Sequence, residues 1–217
     1  MDAEFWHQRW GANEIGFHQE QGNPLLKAHF SKLNLAVGSR VFIPLCGKTK
    51  DIAWLLAQGF HVVGAELSEL AIEALFAELG LCPDVTELGK LCRYRAPYID
   101  IFVGDIFDLS AELVCEVDAI YDRAALVALP ESMRRSYTTL LMEISGVAPQ
   151  LIICFEYNQD LQEGPPFSIG EAELRDHYEA VYALQCLERV SLEGGLKGGV
   201  IANEVVWLLN KTEVSLL

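Results

Sequence analysis

The segment VFIPLCGKTKDIAWLLAQGFHVVGAELSEL, Val41 to Leu70, restricts the fold more than any other part of the chain. Val41 to Leu45 is a short apolar run suited to a strand buried on both faces of a parallel sheet. Asp51 to Gln58 then carries helical periodicity that stops at Gly59, and His61 to Glu66 is a second apolar run ending in a carboxylate. Strand, tight turn, helix, strand is the opening unit of nucleotide-binding α/β sheets. The turn PLCGK, however, holds one glycine, Gly47, where a dinucleotide fingerprint has three.

The rest of the chain continues the alternation. Ser68 to Leu79 reads as a helix with Ser68 at its N-cap and Gly80 at its end, and Ile99 to Val103 and Val117 to Tyr121 read as strands. Arg134 to Val147 is a long amphipathic helix preceded by Pro130 and Glu131, Leu151 to Tyr157 a fifth strand, and Glu171 to Val181 a further helix. Leu184 to Val190 and Val200 to Leu209 are strands joined by LEGGLKGG, as in an antiparallel hairpin. The expected fold is one α/β domain: a mostly parallel central sheet with helices on both faces and an antiparallel edge strand. Ligands of such sheets sit beyond the carboxyl ends of the strands, which singles out Leu45 to Lys48, Glu66 to Ser68, Gly104 to Phe107 and Asp122 to Ala125.

Composition narrows the partners. Acidic residues outnumber basic ones 31 to 16 and the net charge is -15, so a phosphate backbone is repelled and nucleic acid is not expected. The six cysteines are scattered without a CxxC pair, against a zinc site or a redox dithiol. MDAEFWHQRW lacks the basic and then apolar order of a signal peptide, and no apolar run approaches the roughly 20 residues that cross a bilayer. A cytoplasmic protein with no membrane partner is expected.

Glu66 stands about 20 residues beyond Gly47, where an acid accepts hydrogen bonds from both ribose hydroxyls of an adenosine; the alternative is a solvated carboxylate capping the next helix. Gly47 lets the backbone pass close to a ligand, yet alone it forms no pyrophosphate cradle. Adenosine without phosphates is favoured, and S-adenosylmethionine fits. Asp105 in GDIFDL is a candidate acceptor for the adenine amino group, with Ile106 and Phe107 as apolar cover. Arg123, in YDRAALVAL, is a cation at the same edge, suited to an anionic or aromatic substrate, or else to an ion pair with Asp122 or Glu156. Trp6 and Trp10 share a helical face. Either they are core, or with Phe17 they close over a sulfonium and its acceptor, with His18 and Glu20 as hydrogen-bonding groups.

WHQRW, FHQEQGN, PLCGK, VVGAELSEL, IFDL, DRAALVAL and GPPF at Gly164 to Phe167 stand in the order and spacing of a known family, which this chain resembles over nearly its whole length: the thiopurine S-methyltransferases. The resemblance implies a Rossmann-like class I methyltransferase fold, one domain over residues 1–217, with residues 1–35 as a cover over S-adenosylmethionine. Residue by residue it implies cofactor contacts from Trp10, Leu45 by backbone, Gly47, Glu66, Asp105, Ile106 and Arg123, and acceptor contacts from Phe17 and Arg123. The family methylates the sulfur of aromatic and heterocyclic thiols such as thiopurines. Its bacterial members are also linked to methylation of selenium and tellurium species, a role in tellurite resistance, and the short extension looks like the bacterial form.

Mammalian relatives carry a more basic, arginine-bearing segment before the last strand; here SLEGGLKGG offers only Lys197, so a different acceptor preference is expected. Neither a general base nor a metal is assigned, and a monomer is expected. An NAD-dependent oxidoreductase shares the strand, turn, helix and acid but needs the missing glycines. A non-catalytic metalloid-binding protein is the third alternative.

Overall fold

The computed structural model describes residues 3–196 and 199–212. Helix α1 (Ala3–Gly11) and α2 (Pro24–His29), which runs on into a 3-10 turn over Phe30–Leu33, precede the sheet. There follow β1 (Arg40–Ile43), α3 (Lys50–Ala57), β2 (His61–Glu66), α4 (Glu69–Leu79), β3 (Asp84–Leu88), β4 (Leu91–Ala96) and β5 (Ile99–Val103). The second half comprises α5 (Ala111–Val114), β6 (Ala119–Arg123), α6 (Glu131–Ser145), β7 (Gln150–Tyr157), α7 (Glu171–Tyr178), β8 (Tyr182–Ser191) and β9 (Ala202–Lys211).

Among the described residues these strands form one sheet in the order β3-β4-β5-β2-β1-β6-β7-β9-β8. The five central strands are parallel, as their continuous apolar content requires, and two antiparallel strands extend each side. The β8–β9 pairing agrees with the sequence reading, with a bulge between Cys186 and Glu188. The β3–β4 hairpin was not foreseen. Its turn, Gly89 and Lys90, joins the paired Leu88 and Leu91, but β3 is almost wholly exposed and so has no apolar run to mark it.

Alternation along each central strand builds two cores. Val41, Ile43, Ala119, Tyr121, Leu151 and Ile153 point to one face, where α2, α3 and α4 cover them with Leu26, Ile52, Leu55, Ile72 and Phe76. Phe42, Ile120, Ile152 and Cys154 point to the other, beneath Val114, Tyr137, Leu141 and Tyr178 of α5, α6 and α7. Burying one aliphatic or aromatic side chain stabilises by about 1.5–3 kcal/mol, so both helical layers are held by the sheet rather than by helix propensity. Ser68 caps α4, and Gly80 ends it in the left-handed region at φ 67°.

Strand β6 runs to Arg123, two residues beyond the end expected from Val117 to Tyr121. Two polar residues prolong it because each is paired. Asp122 is 1% exposed and accepts from the Tyr137 hydroxyl at 2.7 Å and from the Leu126 amide at 3.1 Å. Helix α6 likewise starts at Glu131 rather than Arg134, directly after Pro130.

Candidate active site

The chain leaves β1 for β2 and β5 on one side and returns to β6 on the other, so the direction of winding reverses between β1 and β6. A crevice opens at such a switch point beyond the carboxyl ends of the strands. Two non-glycine residues with positive φ flank it: Leu45 at 45° after β1 and Ala124 at 62° after β6. Conformations of this kind cost about 1–3 kcal/mol and persist where the surrounding structure enforces them, commonly at functional sites.

The crevice is a cavity of about 410 Å³. Trp10, Phe17, Leu45, Gly47, Glu66, Asp105, Ile106 and Arg123 all line it, drawn from the N-terminal cover and from the ends of β1, β2, β5 and β6. Its size lies within the usual range for a small-molecule site, about 300–1,000 Å³.

At one end, Glu66 is 6% exposed and accepts from the Gly47 amide at 2.7 Å and the Ser68 amide at 2.8 Å, one on each carboxylate oxygen. Burial pushes its carboxyl above the ordinary 4.5, although the amides of Ser68, Gly47 and Leu67 oppose the shift. Each oxygen keeps a second lone pair, so the carboxylate is oriented by the backbone and still able to accept from a diol. Gly47 itself has φ 49°, and a Cβ there would lie 2.9 Å from the Trp10 ring. The missing side chain therefore lets the cover indole rest on the turn. Ile106 is buried, whereas Asp105 stands exposed at the rim with Oδ1 capping the short turn through the Phe107 amide at 3.0 Å.

At the other end the cover and the sheet meet. Phe17 sits edge-on between Trp6 and Trp10, with ring centroids 5.9 and 5.6 Å away. Both tryptophans are half-buried and line the cavity as an aromatic wall rather than filling the core. Arg123 Nη1 donates to the Phe17 carbonyl at 2.8 Å. Neither ion pair considered from the sequence forms: Asp122 is held by Tyr137 and Leu126, and Glu156 pairs with Arg189 at 3.0 Å. His18 lines the cavity, and burial followed by Lys48 holds its imidazole below the ordinary 6.5. Glu20 is exposed and does not line the cavity.

The root of the cover is pinned by Gly22 and Asn23. Asn23 caps α2 through its side chain, and its amide donates to Asp51 at 2.6 Å; the Tyr121 hydroxyl donates to the second Asp51 oxygen at 3.0 Å. Gly22 has φ 71°, and a Cβ there would lie 2.8 Å from Asp51 Oδ1, so only glycine lets the cover approach α3.

Several lining residues escaped the sequence reading: Asp51, Tyr121, Phe155 and Glu204. Asp51 and Tyr121 looked like helix and core positions; a signal for Glu204 existed, an acid inside an apolar strand. Leu192, Gly195 and Leu196 bring the glycine-rich loop to the cavity, while Lys197 lies outside the described residues.

The residues fit an adenosine-bearing cofactor. Trp6, Arg9 and Gln19 line the cavity and each holds a buried polar atom without a partner, alongside the diol-ready Glu66. A doubly wound sheet with a carboxylate after its second strand and no pyrophosphate loop defines the class I S-adenosylmethionine-dependent methyltransferases. Comparison with known proteins agrees. Residues 1–211 match the family model described as Thiopurine S-methyltransferase (TPMT). The thiopurine S-methyltransferase of Xanthobacter autotrophicus is 52% identical over 212 residues, 97% of this chain and 100% of that one. That of Teredinibacter turnerae is 50% identical over 97% and 98% of the two chains. Among solved structures, the Burkholderia thailandensis 1,6-didemethyltoxoflavin-N1-methyltransferase, with bound 1,6-didemethyltoxoflavin and S-adenosylhomocysteine, shares the fold at a TM-score of 0.66 and 15% identity, over 97% of this chain and 87% of that one. The chain belongs to the thiopurine S-methyltransferase family.

Proposed function

We propose that the enzyme transfers the methyl group of S-adenosylmethionine to the sulfur of an aromatic or heterocyclic thiol, thiopurines included. The observation that carries this reading is the polarity of one continuous cavity: a buried, backbone-held carboxylate at the Glu66 end and an aromatic wall with the Arg123 guanidinium, latched to Phe17, at the other. S-adenosylmethionine supplies an activated methyl group on a sulfonium. Glu66 holds the ribose, Ile106 and Asp105 frame the adenine, and the Gly47 turn admits the nucleoside without demanding phosphates.

The aromatic wall binds a flat acceptor and excludes water, and an indole face beside a sulfonium contributes about 0.5–2 kcal/mol. Arg123 favours an anionic sulfur over a neutral one, while its bond to Phe17 aligns the wall above it. Alignment and exclusion of water supply about 7–11 kcal/mol when reacting atoms are held in line.

The testing experiment compares isosteres. With S-adenosylmethionine present, thiophenol and 6-mercaptopurine should be turned over and phenol and hypoxanthine should not. Equal turnover of the oxygen compounds, or none of the thiols, contradicts the proposal.

A further inference from the structure

A second carboxylate reaches the acceptor end from the far side of the sheet. Glu204 lies on β9, opposite Phe155 of β7 and Val190 of β8, and lines the cavity with Arg123, Phe155, Pro165 and Pro166. It is half-buried and, among the described residues, makes no side-chain hydrogen bond or ion pair. The neighbouring acids are all engaged. Glu66 holds two backbone amides, Asp51 holds Asn23 and Tyr121, Glu156 of β7 pairs with Arg189, and Glu188 of β8 meets His29 of α2 at 2.5 Å. From the cover, Arg9 is paired with Glu14, and His18 completes the titratable groups of that wall.

Of these charges Arg123 is the one whose field reaches Glu204 appreciably, favouring its ionised form, while burial outweighs it and raises the carboxyl above the ordinary 4.5. A carboxylate with vacant lone pairs, in an apolar cavity and beside a fixed cation, has the placement of a proton acceptor. Its position also resolves a charge problem: an ionised Glu204 would repel an incoming thiolate, but it attracts the proton of a neutral thiol.

We infer that Glu204 takes the proton of a neutral acceptor, from S–H or from the ring N–H of its thione tautomer, so that the thiolate is formed inside the cavity against Arg123. The inference rests on the thiol-methyltransferase reading of the same site. The S–H or N–H bond breaks, its electron pair stays on the acceptor and is carried largely by sulfur, and an O–H bond forms on Glu204. The charges before the step, carboxylate and guanidinium, become guanidinium and thiolate, so the cavity gains no net charge. After the methylated product departs, the carboxylic acid returns its proton to water.

The test uses Glu204→Gln, which keeps shape and removes basicity, with S-adenosylhomocysteine affinity by calorimetry as the check on folding. Two acceptors separate the roles: phenylmethanethiol, protonated at pH 7, and 4-nitrothiophenol, already a thiolate. The expected result is a loss of about 10²-fold or more in kcat/KM for phenylmethanethiol, regained as pH is raised towards 9, and no loss for 4-nitrothiophenol, whose thiolate the neutral glutamine no longer repels. Equal losses for both thiols, or no loss for either, overturn the inference.

A readout independent of turnover is the absorbance of 6-mercaptopurine bound to the S-adenosylhomocysteine complex at pH 6.5, where the free compound is neutral. The wild type should show the anion band and Glu204→Gln the neutral one. A neutral band in both, or an anion band in both, contradicts the role of Glu204. Wild-type failure to methylate any thiol, with an anion band present, instead counts against the thiol-methyltransferase reading and leaves proton acceptance standing.

Discussion

Arg123 Nη1 and the carbonyl oxygen of Phe17 are 2.8 Å apart, and this hydrogen bond joins the end of β6 to the N-terminal segment that lines the same cavity. In the proposed reading the residue that faces the acceptor therefore also sets the position of the aromatic wall. A bond to a charged donor contributes about 1.5–3 kcal/mol. Arg123→Ala is expected to lower thiol kcat/KM by about 10- to 100-fold and to speed hydrogen exchange across residues 3–20, while S-adenosylmethionine affinity falls less. Unchanged exchange in the cover would remove the latch from the account.

Glu66 gives cofactor binding a pH dependence of definite sign. Hydroxyl donors favour the ionised carboxylate, and burial has raised its pKa above 4.5, so affinity for S-adenosylmethionine should strengthen as pH rises through that raised value and weaken as it falls. Glu66→Gln should raise the dissociation constant about tenfold at neutral pH and flatten the profile. Calorimetric titrations of both proteins between pH 5 and 8 check this, and parallel profiles would sink the ribose assignment.

Much of this geometry is legible in the sequence because it rests on local rules. One glycine in PLCGK, an apolar strand delivering Glu66 to the sheet edge, and the order of βα units together place the Glu66 end of the cavity. The Arg123 end is less legible, since tertiary pairing overrides local pattern there. Asp122 and Arg123 extend β6 only because Tyr137 and Phe17, distant in sequence, satisfy them. Glu204 precedes a continuous apolar run buried on both faces, so local pattern does not say which way it points; that depends on the register with β7. The β3–β4 hairpin is hidden for a simpler reason: the exposed DVTEL has no apolar face to read, and the arginines of LCRYRA break up the run in which Cys92, Tyr94 and Ala96 face one core.

Asp122 makes the fold itself sensitive to pH. Burial lifts its carboxyl from 3.8 to about 6, so the folded protein binds this proton more tightly than the unfolded chain does. The associated stability is present below pH 3.8 and is lost as pH rises through about 6. Asp122→Asn gives up one hydrogen-bond acceptor at every pH but does not titrate. Relative to the wild type it should gain on the order of 2–3 kcal/mol between pH 4 and pH 7. Urea unfolding of both proteins at the two pH values measures the difference, and a constant difference would show that Asp122 remains ionised throughout.

Gly22→Ala tests the root of the cover. Its new Cβ would stand 2.8 Å from Asp51 Oδ1 at a backbone φ of 71°, displacing the acceptor of the Asn23 amide. A loss of about 1–3 kcal/mol in stability is expected from the unpaired buried groups and the strained backbone. Thermal unfolding reports it, and an unchanged transition would mean that Asp51 is free to move aside.

The central claim is methyl transfer to sulfur, and the position of the new methyl group tests it most directly. The enzyme would be incubated with S-adenosylmethionine carrying a labelled methyl group and with a heterocyclic thione that offers both sulfur and nitrogen, and the product mapped by mass spectrometry and NMR. Label on sulfur alone, with one S-adenosylhomocysteine released per thioether formed, is the expected result. Label on nitrogen, or S-adenosylhomocysteine released without any thioether, would contradict the account.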